Sequence, residues 1–269
     1  MLESDISDGV RTRFEAMIIQ SIRNAIGREK TKFLRMLGFI RNDWRSGLGE
    51  ETQFWENALR YPEKHWVMQE YLDRTNPALP LQSDLQALID SDASETIEIL
   101  DVGAGPLTRI GKTSPNHQVR IVATDPLADK YDDILKSLSL EPIVRTVNVE
   151  GERLRETFAE ESFDFACATN SLDHAHDPAS IIRQMFAIVK QGGSVYLWHF
   201  EDSGIGERYK GLHQWNFRLA NNDMLISDGR RVVRVSEILP STALIRTRKD
   251  AFRSTPVVVC VITKAKQDR

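Results

Sequence analysis

The chain has little with which to build a covalent staple or a membrane anchor. Only two cysteines, Cys167 and Cys260, stand in 269 residues, each inside an apolar stretch and neither with a CxxC partner. That spacing excludes a cysteine-built zinc site and predicts two reduced, buried thiols. The longest apolar run, Val257 to Ile262, is six residues, against the ~18 of a membrane-spanning helix. The opening MLESDISDGV carries early acids and no apolar stretch. No secretory signal is therefore expected, and the chain reads as cytoplasmic. Positive charge is not in excess either: 35 Lys and Arg against 39 Asp and Glu leave a net charge of −4, which argues against a nucleic-acid partner. What remains is an ordinary globular composition, 41% hydrophobic and 28% charged. A chain of this length, one large domain or a core with an accessory part, buries enough surface to fold without cross-links.

Periodicity splits the chain near residue 96. Phe14, Met17, Ile18, Ile22, Ala25 and Ile26 follow one helix face, and further helical runs cover about Lys30 to Trp44, then Phe54 to Leu72 with a break at Pro62, then Asp84 to Ile89. Residues 1–96 thus read as a helical cap lying over a substrate. Beyond it, β-rich runs at Ile97–Val102, Val119–Thr124, Ile143–Val147, Phe163–Thr169 and Ser194–Phe200 alternate with helical segments, most clearly Pro178–Lys190. A final pair of strands is expected at Ala243–Arg248 and Pro256–Lys264. This grammar predicts an α/β core over 97–269, a mainly parallel sheet with helices on both faces, interrupted by an insert around 201–236.

The first strand closes in Glu98-Ile-Leu-Asp-Val-Gly-Ala-Gly-Pro106. Gly103 and Gly105 permit a sharp turn and a close approach to a ligand, and Pro106 suits a first helical position. A dinucleotide fingerprint would place a third glycine at Thr108, so a smaller ligand without a pyrophosphate fits better. Asp125, at the end of the second strand and about 20 residues on, is placed to hold ribose hydroxyls; a helix-capping aspartate is the plainer alternative.

Together, E-I-L-D-V-G-A-G-P, T-D-P, V-E-G-E-R-L, S-F-D-F-A-C-A-T-N-S-L-D-H-A-H-D-P and V-K-Q-G-G-S-V-Y-L resemble a class I S-adenosylmethionine-dependent methyltransferase, closest to the small-molecule type 11 branch, over about residues 97–200. The resemblance implies a Rossmann-like core with a seven-stranded, mainly parallel sheet. It implies S-adenosylmethionine as cofactor, with Asp101, Gly103, Ala104 and Gly105 along its methionine part and Asp125 on the ribose. Pro126 and Leu127 would then lie beside the adenine, Glu150 and Gly151 at the ring's polar edge, and Asn170 near the sulfonium. Glu150 and Gly151 stand where the family usually has Asp-Ala.

For a hydroxyl acceptor the enzyme must align the acceptor and remove a proton, for which histidine is the common choice near neutral pH. His174, just after the fourth strand, and His199, ending the fifth, are the two candidate bases, with a slight preference for His199. His176 adjoins the helix-starting Asp177-Pro178 and reads as structural. The run Gly204 to Phe217 is rich in polar and aromatic groups; His213, Trp215 and Asn216, with Asp173 and Glu201, are candidates for the acceptor pocket, although a helix packing Leu212, Trp215 and Leu219 on the core explains the run equally. Its G-L-H-Q-W-N-F strip resembles one in bacterial methyltransferases of glycan and secondary-metabolite pathways. The expected acceptor is accordingly a small polar molecule, a saccharide or secondary metabolite, methylated on oxygen rather than nitrogen. A silent cofactor-binding partner protein is the alternative. Relatives that bind a divalent ion carry E-x-x-E-H where this chain has Asn170-x-x-Asp173-His174. Asn replaces a carboxylate poorly on a hard cation, so no metal is expected. Nucleic-acid methylation is disfavoured because no proline follows Asn170. The oligomeric state stays open, a dimer included.

Overall fold

The computed structural model describes residues 26–38, 44–64, 68–89 and 94–266, side chains of 44–46 apart. Most of the first expected helix face, the side chain of Trp44 at the end of the second helical run, and residues 65–67 of the third lie outside the described residues. The amino-terminal part is helical: α1 (residues 26–36), α2 (Trp44–Arg60), α3 (Met68–Arg74) and α4 (Ser83–Ile89). Then follow β1 (Thr96–Val102), β2 (Gln118–Thr124), α5 (Ala128–Ser137), β3 (Thr146–Val147), α6 (Leu154–Thr157), β4 (Phe163–Thr169), α7 (Pro178–Ile188) and β5 (Val189–Phe200). After β5 come α8 (Ser203–Gly206), β6 (Asn216–Ala220), β7 (Asp223–Ser227), β8 (Val232–Arg234), α9 (Val235–Ile238), β9 (Ala243–Phe252) and β10 (Thr255–Lys264). Among the described residues no helix is long and apolar enough to cross a membrane.

Seven strands form one sheet in the order β3-β2-β1-β4-β5-β10-β9. β1, β2, β3, β4 and β5 run parallel, and β10 is antiparallel to both of its neighbours. The chain winds outward from β1 through β2 to β3, then returns to place β4 on the other side of β1. The strand order therefore reverses between β1 and β4, and a crevice opens at their carboxyl ends, the place where open α/β sheets bind ligands. The central strands are buried on both faces, which explains the near-continuous apolar runs of Ile97–Val102 and Phe163–Ala168. On one face Leu100, Val102, Ala166, Ala168 and Leu197 pack with Ile181, Ile182 and Met185 of α7. On the other, Ile97, Ile99, Phe165, Cys167 and Tyr196 pack with Leu85 and Ile89 of α4.

That second cluster means that α4 belongs to the sheet core. The periodicity break near 96 marks a change of element type, and packing runs across it. Leu85→Ala is expected to cost about 2–5 kcal/mol, because Leu85 is 1% exposed and its removal leaves a cavity between helix and sheet. Denaturant midpoints check it; a loss below about 1 kcal/mol would detach α4 from the core.

The insert departs from the helical alternative. Of the run Gly204 to Phe217 only the start is helical, in α8, and β6, β7 and β8 make a separate three-stranded antiparallel sheet. Asn221 and Asn222 join β6 to β7 with φ of 54° and 57°, the left-handed pair that a two-residue hairpin requires and that Asn tolerates well.

Candidate active site

Gly103 leaves β1 with φ 71° and Gly105 follows with φ 67°. A Cβ on Gly103 would lie 2.5 Å from the Ser171 side chain, and one on Gly105 3.1 Å from the Trp55 ring. Both positions therefore hold close backbone approaches that glycine allows. Asp101 is buried beneath the loop and accepts from the Thr108 hydroxyl at 2.5 Å. Burial pushes its carboxyl above the ordinary value, offset by Thr108 and by Arg74. Thr108, which fails the dinucleotide pattern, thus has a structural task of its own.

Asp125 closes β2. Its carboxylate accepts from Gly105 N–H at 3.1 Å and Leu127 N–H at 2.9 Å. Burial pushes it up to about 6, against the pull of those two hydrogen bonds. A costly buried acid, positioned by the glycine loop, faces a cavity of about 960 Å³. Asp101, Gly103, Ala104, Gly105, Asp125, Pro126, Leu127, Glu150, Gly151 and Asn170 all line that cavity. The expected cofactor residues are therefore brought together around one cavity.

The amino-terminal helices add residues that sequence reasoning missed. Arg74 lies buried beside the loop, donating to the Leu107 and Ala104 carbonyls, with its guanidinium 5.1 Å from the centre of the Trp55 ring. Burial lowers it to about 10, helped by Arg109 and opposed by Glu70. In the sequence, Glu70 and Arg74 look like an ordinary i,i+4 surface pair, and nothing local links them to a loop 30 residues on. Glu51 also reaches the cavity, accepting from Trp55 Nε1 at 2.8 Å.

On the wall of the same cavity His174 and His213 meet. His213 Nδ1 lies 2.8 Å from Asp173 Oδ2 and 3.0 Å from His174 Nε2. Asp173 sits beneath them, 1% exposed. Burial works to lower His213, but its hydrogen bond and charge attraction to Asp173 outweigh that and hold it above the ordinary value. Asp173 is held below its own despite burial, chiefly by His174 and His213. Gln214 fixes this loop: its backbone N–H donates to the Asp173 carbonyl, and its side chain donates to the Tyr209 and Gly211 carbonyls.

Other expected site residues lie elsewhere. His199 does not line the cavity. Alternation along β5 sends Trp198 and Phe200 to the α4 side of the sheet and His199 to the α7 side, where it is fully buried and stacked 4.2 Å from Phe217. Burial lowers it to about 4, so it stays neutral, and the expectation that a strand end must face the ligand fails on this pleat. Trp215 donates to the Ala175 carbonyl, and Asn216 ties Ile205 N–H, the Tyr209 hydroxyl and the Ser227 carbonyl together; both pin the insert rather than line the cavity. Glu201 lines it and accepts from Lys249 at 3.2 Å. His176, read as structural, lies on the wall.

A family model described as a methyltransferase domain, Methyltransf_11, matches residues 100–197. No curated protein matches the chain. Among solved structures, the carbon methyltransferase of CurJ matches at 15% identity and TM-score 0.48, over 78% of this chain; this chain spans 61% of that one. A Methanosarcina mazei S-adenosylmethionine-dependent methyltransferase matches at 14% and 0.43, over 70% of this chain and all of its own. The Burkholderia thailandensis 1,6-didemethyltoxoflavin-N1-methyltransferase matches at 14% and 0.44, over 84% and 92%.

Proposed function

We propose, for a chain whose residues 100–197 match a methyltransferase-domain family model, that it is a class I S-adenosylmethionine-dependent methyltransferase and transfers the cofactor's methyl group to oxygen of a small polar acceptor, a saccharide or hydroxylated secondary metabolite. The observation that carries this reading is one cavity lined both by the glycine loop with Asp125 and by His174 with His213. Bound there, the cofactor supplies a methyl already activated on a sulfonium. Gly103, Ala104 and Gly105 would hold its amino-acid part against backbone, with Arg74 as the cation beside it, and Asp125 would accept from the ribose hydroxyls.

The chain's own work is alignment and proton removal. Phe200 and Phe252 offer apolar walls, and the histidine end offers the polar group. A neutral His213 that donates a hydrogen bond from its Nδ1–H to Asp173 has Nε2 as its basic atom. Asp173 then stabilises the imidazolium formed when the acceptor's proton arrives, the role that a buried carboxylate plays toward a general base. His174 stands beside His213 to orient the acceptor hydroxyl. The test is incubation with methyl-deuterated cofactor and a panel of sugars, phenols and amines, read by mass spectrometry. O-methylated product is expected; label on nitrogen or carbon alone, or on nothing, overturns the acceptor reading.

A further inference from the structure

The side chains of Asp173, His174 and His213 converge more tightly than a base and its orienting acid require. Three potential ligand atoms face one point: Asp173 Oδ2, His174 Nε2 and His213 Nδ1. Their separations are 2.8 Å, 3.0 Å and 3.6 Å. One N–H on His213 Nδ1 cannot point at both the carboxylate and the His174 nitrogen, so three lone-pair-bearing atoms share at most one well-placed proton. The same spacing is close to the face of a tetrahedral site, where bonds of roughly 2.0–2.1 Å set ligands about 3.3 Å apart. Asp173 Oδ1, buried on the other side, has no hydrogen-bond partner, so the carboxylate is not fully satisfied by protein donors. Glu51 Oε2 lies 3.7 Å from His174 Nδ1, too far for a hydrogen bond, and adds a carboxylate beside that ring.

We propose that Asp173, His174 and His213 form a binding site for a divalent transition-metal cation, with its fourth position open to the cavity. The donor set is two imidazoles and one carboxylate, which favours zinc, cobalt or manganese over magnesium. Because His174 and His213 lie on the cavity wall while Asp173 lies behind them, the open position faces the acceptor. A hydroxyl bound there would be acidified by the cation, which removes the need for a free His213 lone pair. This inference rests on the acceptor end of the site proposed above. The sequence disclosed only part of it: Asp173 and His174 stand in the string where some relatives bind a divalent ion, Asn170 argued against a metal there, and the third ligand comes from the insert after β5, returned by the turn that Gln214 stitches.

The experiment uses the full chain, without an affinity tag, stripped by chelation and titrated with Co(II) and Zn(II) alone. One cation per chain and the visible absorption of tetrahedral Co(II) are expected, with Mg(II) in excess failing to displace it. His213→Ala and His174→Ala should each weaken uptake by more than about tenfold, since even outer-shell partners cost 10- to 100-fold. Both variants should keep the S-adenosylhomocysteine thermal shift as proof of folding, and His117→Ala, at a half-buried histidine elsewhere, should bind as wild type does. No stoichiometric uptake, or uptake indifferent to His213 and His174, overturns the site and leaves the proton to the His213–Asp173 pair. Uptake that lowers turnover overturns the acceptor-binding position. Loss of the thermal shift in the wild-type chain would instead strike the methyltransferase reading itself.

Discussion

Asp125→Ala is expected to abolish most of the stabilisation conferred by S-adenosylhomocysteine. At a hundredfold excess over Kd, ligand binding stabilises the native state by about 2.7 kcal/mol, which raises Tm by about 5–10 °C at this size. Two hydrogen bonds from ribose hydroxyls to a carboxylate are worth about 1.5–3 kcal/mol each. Their joint loss weakens binding by at least about a hundredfold, and the remaining rise at the same ligand concentration is under about 2 °C. The shift also carries a pH signature. Burial raises Asp125 from its ordinary 3.8 to about 6 in the ligand-free fold. Its favourable contribution to stability is therefore present in full below about pH 4 and is lost as pH rises through 6, at a cost of about 3 kcal/mol. Donors from a ligand favour the ionised form. Affinity should hence be flat above pH 7 and weaken below 6, with a proton released on binding near pH 6. Asp125→Asn should flatten that profile. An undiminished thermal shift in Asp125→Ala would remove this residue from the cofactor site.

In the cation-free chain, His213→Gln is expected to lower kcat by about 10²–10⁴-fold, the usual worth of a general base, and to leave the S-adenosylhomocysteine shift within about 2 °C. Asp173 holds His213 above the ordinary imidazole value of 6.5 despite burial. A base must be neutral, so turnover should fall as pH drops through a value above 6.5. Asp173→Asn should move that limb to lower pH, because the hydrogen bond and charge that raise His213 are gone. His199→Gln is the contrasting variant: it perturbs a buried ring stacked on Phe217, so stability falls while the pH profile keeps its position. A rate close to wild type in His213→Gln across about pH 6 to 9 would mean that transfer proceeds by alignment alone.

The class of the fold was legible in the sequence because a parallel sheet buried on both faces writes itself as short apolar runs, spaced by helical segments. β1 and β4 stand close to where their runs predict them, and the register that pairs Leu100 with Ala166 follows from that burial. The cofactor end was legible for a related reason. Gly103, Gly105 and Asp125 sit at strand ends on consecutive units, so their positions along the chain fix their positions in space. β3 was overcalled: Ile143–Val147 has the composition of a strand, yet only Thr146 and Val147 pair with β2 at this edge.

The acceptor end was decided by the tertiary structure alone. Whether His199 faces the ligand depends on the pleat, and one residue along β5 reverses it; apolar neighbours on both sides gave no alternation to read. His213 reaches His174 through a turn held by Gln214 and by the Asn216 hydrogen bonds, contacts between residues with no periodic signature. Arg74 and Glu51 come from helices whose packing against the glycine loop depends on the Trp55 and Tyr131 side chains. A sequence determines which elements form because their signals are local and periodic. It leaves open which side chains converge across 30 or 40 residues, since that is settled only by how the elements pack.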